Sequence, residues 1–211
     1  LTESSTGLPT IELNGTANQQ ISGTGSILNS ITFLMNNAAG ATLNDPLTLP
    51  YNLTLTSGRI TTTTTDLLTM IDNATVSGSS VTSFVNGPMK KIGDEDFTFP
   101  IGKGSMLYPL AITGGIGAAI TDEFTAEYIR SNPQSVHGTC PANCDPSLNH
   151  ISFVEYWTLN QDFGSATKVV TLSVGEYSFV KVMASTYVSR WNGTIWTNEP
   201  TTISFGPIAC G

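Results

Sequence analysis

One short phrase repeats along the first half of the chain and constrains its fold more than anything else. Apolar runs with period-two alternation recur at ILNSITFLM (27–35), ATL (41–43), LTL (47–49), LTLTSGRI (53–60), LLTMI (67–71), ATV (74–76) and VTSFV (81–85). Small and polar stretches separate them: NNAAG, NDP, TTTTTD, DN and SGSS. Alternation of this kind places every second side chain on one face of a strand. The turns fall every six to twelve residues, and no segment before residue 120 keeps a helical period. Short quasi-repeated strands joined by small residues suit a β-solenoid, in which each coil adds a few inward Leu, Ile or Val side chains to one continuous core. The strands of an antiparallel sandwich read the same way locally. For residues 20–90 the solenoid is the expectation and the sandwich the alternative.

Composition fits an all-β chain. The 211 residues include 31 threonines, whose branched Cβ packs well on a pleated surface. Charged residues are 11 % of the chain, against roughly 25 % in an ordinary soluble protein. The net charge is −8 and the pI near 4.5. That balance excludes a phosphate-driven nucleic-acid binder, which needs a clustered basic face, and it argues against docking on an anionic membrane. The most apolar stretch, MLYPLAITGGIGAAI (106–120), is interrupted by Pro109 and Gly114-Gly115. It also falls short of the roughly 20 apolar residues a spanning helix needs, so no membrane insertion is expected. A surface of neutral hydroxyls and amides points outside the cell. The opening LTESSTGLPT carries no signal-peptide pattern, and we expect a mature or excised piece of a secreted protein. Sequons stand at Asn14, Asn52, Asn73 and Asn192 as possible glycosylation acceptors, although a chain rich in Thr and Asn produces such triplets by composition.

The pattern changes after Pro88. Residues 1–26 read as a linker or an irregular first strand, 27–90 as solenoid-like coils and 91–211 as an antiparallel β-sandwich. The later strands are longer: DFTFPIG (96–102), MLYPLAIT (106–113), DEFTAEYIR (122–130), HISFVEYWTLN (150–160), KVVTLSVG (168–175), SFVKVMAS (178–185), YVSRWNGTIWTNE (187–199) and TTISFGP (201–207). Within YVSRWNGTIWTNE, Asn192-Gly193 predicts a hairpin with a type I′ turn. The fold expected is therefore all-β, a short parallel β-solenoid-like part followed by antiparallel sheets packed as a sandwich.

Several motifs recur in a fixed order: LTLTSGRI (53–60), SFVNGP (83–88), FTFPIGK (97–103), Tyr108-Pro109, Glu155-Tyr156-Trp157 and WNGTIW (191–196). This order resembles a module of large secreted surface proteins of Bacteroidetes, often adhesin-like and exported by the type IX secretion system. The resemblance covers roughly residues 27–198. It implies an extracellular, non-catalytic surface or filament module, and it carries over no catalytic residue. The loop HGTCPANCDPSLNH (137–150), with its two cysteines, departs from that pattern.

Candidate chemistry is sparse. Cys140 and Cys144 lie three residues apart in a Pro/Gly/Asn loop, where an oxidising compartment favours a local disulfide. His137 and His150 flank them, so a Cys2His2 zinc site is an alternative, and two unpaired thiols are the third. Cys210 is left over, to be free or to pair outside this chain. Lys90-Lys91 and Asp94-Glu95-Asp96 form the one dense charge cluster; it reads as a solvated loop, with calcium on Asp94 and Asp96 the sharper alternative. Trp191, Trp196 and Tyr187 are candidate sugar-stacking rings; their structural alternative is a clamp across their own hairpin, and Trp157 reads as core. Between residues 20 and 90 the charged groups are Asp45, Arg59, Asp66, Asp72 and Lys90, too scattered for a lyase or hydrolase face. There is no G-x-S-x-G elbow, and both histidines sit beside the cysteine loop. The sequence therefore predicts no enzyme, no cofactor and no metal. It predicts a structural or adhesive module whose partners are other copies or neighbouring domains of the same surface protein. A carbohydrate-binding module that takes glycans is the second reading.

Overall fold

The computed structural model describes residues 7–180 and 185–203. The chain is all-β, and its N-terminal part is a parallel β-solenoid of about four turns. Three faces carry the coils. On the first face strands Thr10–Leu13, Thr32–Asn36, Asn52–Ser57 and Thr75–Ser77 stack in parallel. The second face stacks Gln19–Ile21, Ala41–Leu43, Ile60–Thr61, Val85–Asn86 and Ile101–Lys103. The third stacks Leu47–Leu49, Leu68–Met70 and Met89–Ile92. The coils thus begin at Thr10, inside the segment read as linker or irregular strand, and continue past residue 90.

Register turns the sequence alternation into a core. Phe33, Leu53 and Val76 lie one above another on the first face, and Met35 over Leu55 beside them. Ala41, Ile60, Val85 and Ile101 form the second inward ladder, and Leu47, Leu68 and Met89 the third. From Phe33 onward nearly all of these side chains are buried, Leu47 excepted. Neighbouring strands are about 4.8 Å apart, so each ladder is a continuous apolar column. The outward columns are polar: Thr10, Thr32, Asn52 and Thr75 on the first face, Thr48, Thr69 and Lys90 on the third.

The corners explain the small residues between runs. Gly58 has φ 84°, and a Cβ there would collide with the Asn37 carbonyl of the preceding coil. Asn37 is fully buried at that corner, and its amide donates to Ala17 O (2.8 Å), Gln19 Oε1 (2.9 Å) and Gly40 O (3.2 Å). One coil up, Ser83 Oγ donates to Gly58 O (2.9 Å). These side chains satisfy backbone groups that would otherwise be buried without partners.

After Lys103 the chain reverses and antiparallel strands follow. Met106–Leu107 pairs with the last second-face strand and Glu123–Ile129 with the last third-face strand. Phe97–Phe99, Leu110–Ile116 and Thr167–Leu172 form a separate antiparallel sheet. Tyr156–Phe163 lies beside Glu123–Ile129. Trp157 packs there on Tyr108 and Tyr128, its Nε1 donating to Tyr108 O at 3.1 Å.

The chain divides into two compact units. The first holds the solenoid and these antiparallel strands, residues 7–128 and 157–173. Within the described residues the second comprises 129–156, 174–180 and 185–203. Its regular structure is the hairpin Val188–Trp191 with Trp196–Glu199, plus the short 3-10 turns Pro133–Ser135 and Glu176–Ser178. The hairpin exists as expected, but its turn is not type I′. Trp191 pairs with Trp196 across a four-residue loop in which Gly193 takes φ 99°. The Asn192 side chain accepts from the backbone N–H of Thr194 and Ile195, so it caps the loop instead of occupying a left-handed position. Of the strands read at 178–185 and 201–207, residues 181–184 and 204–207 lie outside the described residues.

Candidate functional site

The second unit gathers the aromatic candidates around His137. Its ring stacks on Trp191 (5.5 Å, 29°) and meets Trp196 (5.7 Å) and Tyr156 (5.9 Å) edge-on. Trp196 is 6 % exposed, and its Nε1 donates to Gly138 O at 2.7 Å. Buried and hydrogen-bonded in this way, it serves as the unit's core and offers no open ring face to a sugar. Trp191 is half-buried, with one side taken by His137 and the other partner Trp196 at 5.5 Å. Tyr187 is 54 % exposed.

The cysteine loop is tied to the same tryptophan. Cys140 and Cys144 lie at disulfide distance, their Cα atoms 5.2 Å apart. Trp196 N donates to Asn143 O (2.8 Å) and Asp145 N to Trp196 O (2.8 Å), so the loop docks on the hairpin edge as a short extra strand. The zinc alternative is not assembled. His137 sits among aromatics, and His150 stacks on Phe153 (6.0 Å, 7°). Among the described residues the one cluster with metal-ligand spacing is instead Asp72, Asp94 and Glu95. Cys210 lies outside the described residues.

That acidic cluster differs from the expected Asp94–Asp96 pair. Asp96 is engaged elsewhere, accepting from Gly114 N at 2.7 Å. Glu95 faces Lys91, the residue that sequence reading misplaced. Lys91 lies on no solvated loop: it is 1 % exposed, in register with the inward residues Leu49 and Met70. Its Nζ reaches Ile71 O (2.7 Å) and Glu95 Oε2 (2.9 Å), with the Phe97 ring at 5.5 Å. Burial opposes the charge on Glu95, but hydrogen bonds from Lys91 and from Asn73 N outweigh it and hold its pKa below the ordinary value. Lys91 thus pairs with one member of this cluster, Glu95. Strand parity was the available signal: in MKKI (89–92) Met89 points inward, so Lys91 must too.

Lys90 points outward and joins Glu123 Oε2 (2.7 Å) and Asp162 Oδ2 (3.0 Å). Burial works against its charge, but the two carboxylates prevail and its pKa is raised. A shallow depression of about 330 Å³ lies here, lined by Thr64, Leu67, Lys90, Thr125, Asn160 and Asp162. Its charged groups already satisfy one another, Thr125 Oγ1 also donating to Asp162 (2.6 Å). Glu127, on the same strand as Thr125, has its pKa raised by burial, with Lys103 pulling the other way.

Of the sequon asparagines, Asn14, Asn73 and Asn192 are exposed. Asn52 is half-buried in the first-face outward column, its amide donating to Thr75 Oγ1 at 2.9 Å.

No family model, curated protein or solved structure matches the chain.

Proposed function

We propose that this chain is a non-catalytic extracellular module, structural or adhesive, of a bacterial surface protein, built to join other copies or neighbouring domains of that protein. The carrying observation is the coil stack. Its inward ladders are apolar, its outward columns are chiefly hydroxyls and amides, and Lys90 and Lys91 are held in ion pairs. Such a surface carries no clustered basic face, and its backbone edges offer a means of contact with a neighbour. The cysteine pair, and an order of motifs that resembles that of type IX-exported surface proteins, support the same location. Antibody labelling and protease shaving of intact source cells test it. Surface exposure supports the module, and confinement to the cytoplasm overturns it.

The exposed Tyr187 beside the hairpin favours a second reading, a carbohydrate-binding module. Selective binding on a glycan array, lost in Tyr187→Ala and in Trp191→Ala, would favour that reading over the first.

A further inference from the structure

We infer that Asn192 is a self-modifying site, at which the backbone nitrogen of Gly193 closes on the Asn192 side-chain amide and converts it to aspartate and isoaspartate. The inference stands apart from the proposed function and rests on the loop alone.

An asparagine followed by glycine is the step most open to this reaction, because glycine has no Cβ to shield its nitrogen. The chain has three such steps, Asn14-Gly15, Asn86-Gly87 and Asn192-Gly193. The fold treats them differently. At the first, Gly15 N donates to Gln19 Oε1 at 3.0 Å, so the attacking nitrogen is engaged. At the second, Val85–Asn86 is paired with a parallel strand on each side, and Gly87 is buried where a Cβ would strike Thr62. Ring closure needs the backbone between the two residues to turn, which a strand held on both sides resists. At the third, Asn192 and Gly193 are both exposed, in the four-residue loop beyond the Trp191–Trp196 pairing. Gly193 takes φ 99°, and a Cβ there would meet nothing within 4 Å. Its N–H donates to no described residue.

The amide that Gly193 faces is already polarised. Asn192 Oδ1 accepts from Thr194 N (3.0 Å) and Ile195 N (2.9 Å). Attack on Cγ pushes the carbonyl electrons onto that oxygen, so two oriented N–H groups meet the atom where negative charge develops, as in an oxyanion hole. Asn86 Oδ1 has one such donor, Gly104 N at 3.1 Å. In the reaction the bond from Gly193 N to Cγ forms and the Cγ–Nδ2 bond breaks. Ammonia leaves, carrying the proton that Gly193 N gives up. Water then opens the five-membered imide at either carbonyl. One opening leaves aspartate. The other leaves isoaspartate, whose side-chain carbon enters the backbone and lengthens the loop. Both put a negative charge on the hairpin and remove the amide of its sequon.

Peptide mapping by mass spectrometry tests this on the full chain, aged in mildly alkaline buffer both folded and unfolded in urea. Conversion is read as the unit gain in mass, with isoaspartate identified by isoaspartyl methyltransferase labelling. In the folded chain Asn192 should convert about tenfold faster than Asn14 or Asn86, within what one oriented donor supplies in enzymes. In urea the three rates should converge, with Asn192 slowing and the other two speeding up. Thr194→Pro deletes one of the two donors and should slow Asn192 in the folded chain without changing Asn14 or Asn86. If circular dichroism shows that Thr194→Pro disturbs the hairpin, the folded and urea rates of the unaltered chain decide. An Asn192 that converts no faster than the other two when folded overturns the inference. So does one that speeds up on unfolding, or one that keeps its rate in an intact Thr194→Pro.

Discussion

The two units hold their backbones by different means. In the solenoid each strand finds a near-copy of itself one coil away, and each inward side chain rests on one of like character, as Leu53 rests on Phe33 and beneath Val76. Order is collective, and no single residue defines it. The second unit has one two-stranded hairpin, a docked loop and a cluster of His137, Tyr156, Trp191 and Trp196. Hairpins alone are marginal in water. A few large rings and one covalent loop closure therefore carry there what repetition carries in the coils.

Removing the central ring gives the largest expected effect. Trp196→Ala deletes a buried indole and leaves the Gly138 carbonyl and the docked loop without their anchor. A loss of about 3–5 kcal/mol is expected, enough to unfold the second unit alone. Calorimetry should show its transition vanish while the solenoid transition stays. If both transitions move together, the contrast between the units fails.

The matching change in the coils is Leu53→Ala, at a fully buried position between two coils. It should cost about 2–5 kcal/mol and act on the solenoid transition. A ladder can relax along its length, so the lower half of that range is expected. A solenoid that unfolds outright would mean that order there is no more collective than in the second unit.

Opening the cysteine loop comes next. Chain-entropy arguments give a ring this short about 2 kcal/mol, less than longer rings contribute. Cys140→Ala should lower the melting temperature of the second unit and redden Trp fluorescence as Trp196 gains water. The solenoid, which holds no described cysteine, should not respond. An unchanged second unit would show that the aromatic cluster stands without the loop.

What the sequence revealed follows the same division. Repetition made the coils legible, because alternation in ATL, LTL and LTLTSGRI fixes which side chains turn inward whatever the partner strand. It did not fix where the coils begin and end. Thr10–Leu13 looked irregular because Glu12 and Thr10 leave only Ile11 and Leu13 to mark the strand, and it earns its place by pairing with Thr32–Met35. Lys91 was missed because two adjacent lysines read as surface, although parity already placed one of them inside. In the second unit nothing repeats. The rings of the WNG hairpin were visible, but which of them is core depends on Gly138 and Asn143, some fifty residues away along the chain.

The smallest effect tests where charge matters in the coils. Glu95 has its pKa held below the ordinary 4.5, so its ionised form is favoured by folding. Its contribution is complete above the unfolded pKa and disappears as pH falls through the folded one. Lys90 has its pKa raised above 10.5, so its contribution is complete below the unfolded pKa and disappears as pH rises through the folded one. The two pairs thus bound a plateau of stability from opposite sides. Glu95→Gln should flatten the acid limb of solenoid melting temperature against pH and leave the alkaline limb alone. Lys90→Gln should do the converse. Both shifts should be modest, since Lys90 and Glu95 keep part of their side chains in water. If Glu95→Gln left the acid limb untouched, the hydrogen bond to Ile71 O and the Phe97 ring would suffice to hold Lys91 in the core without its carboxylate partner.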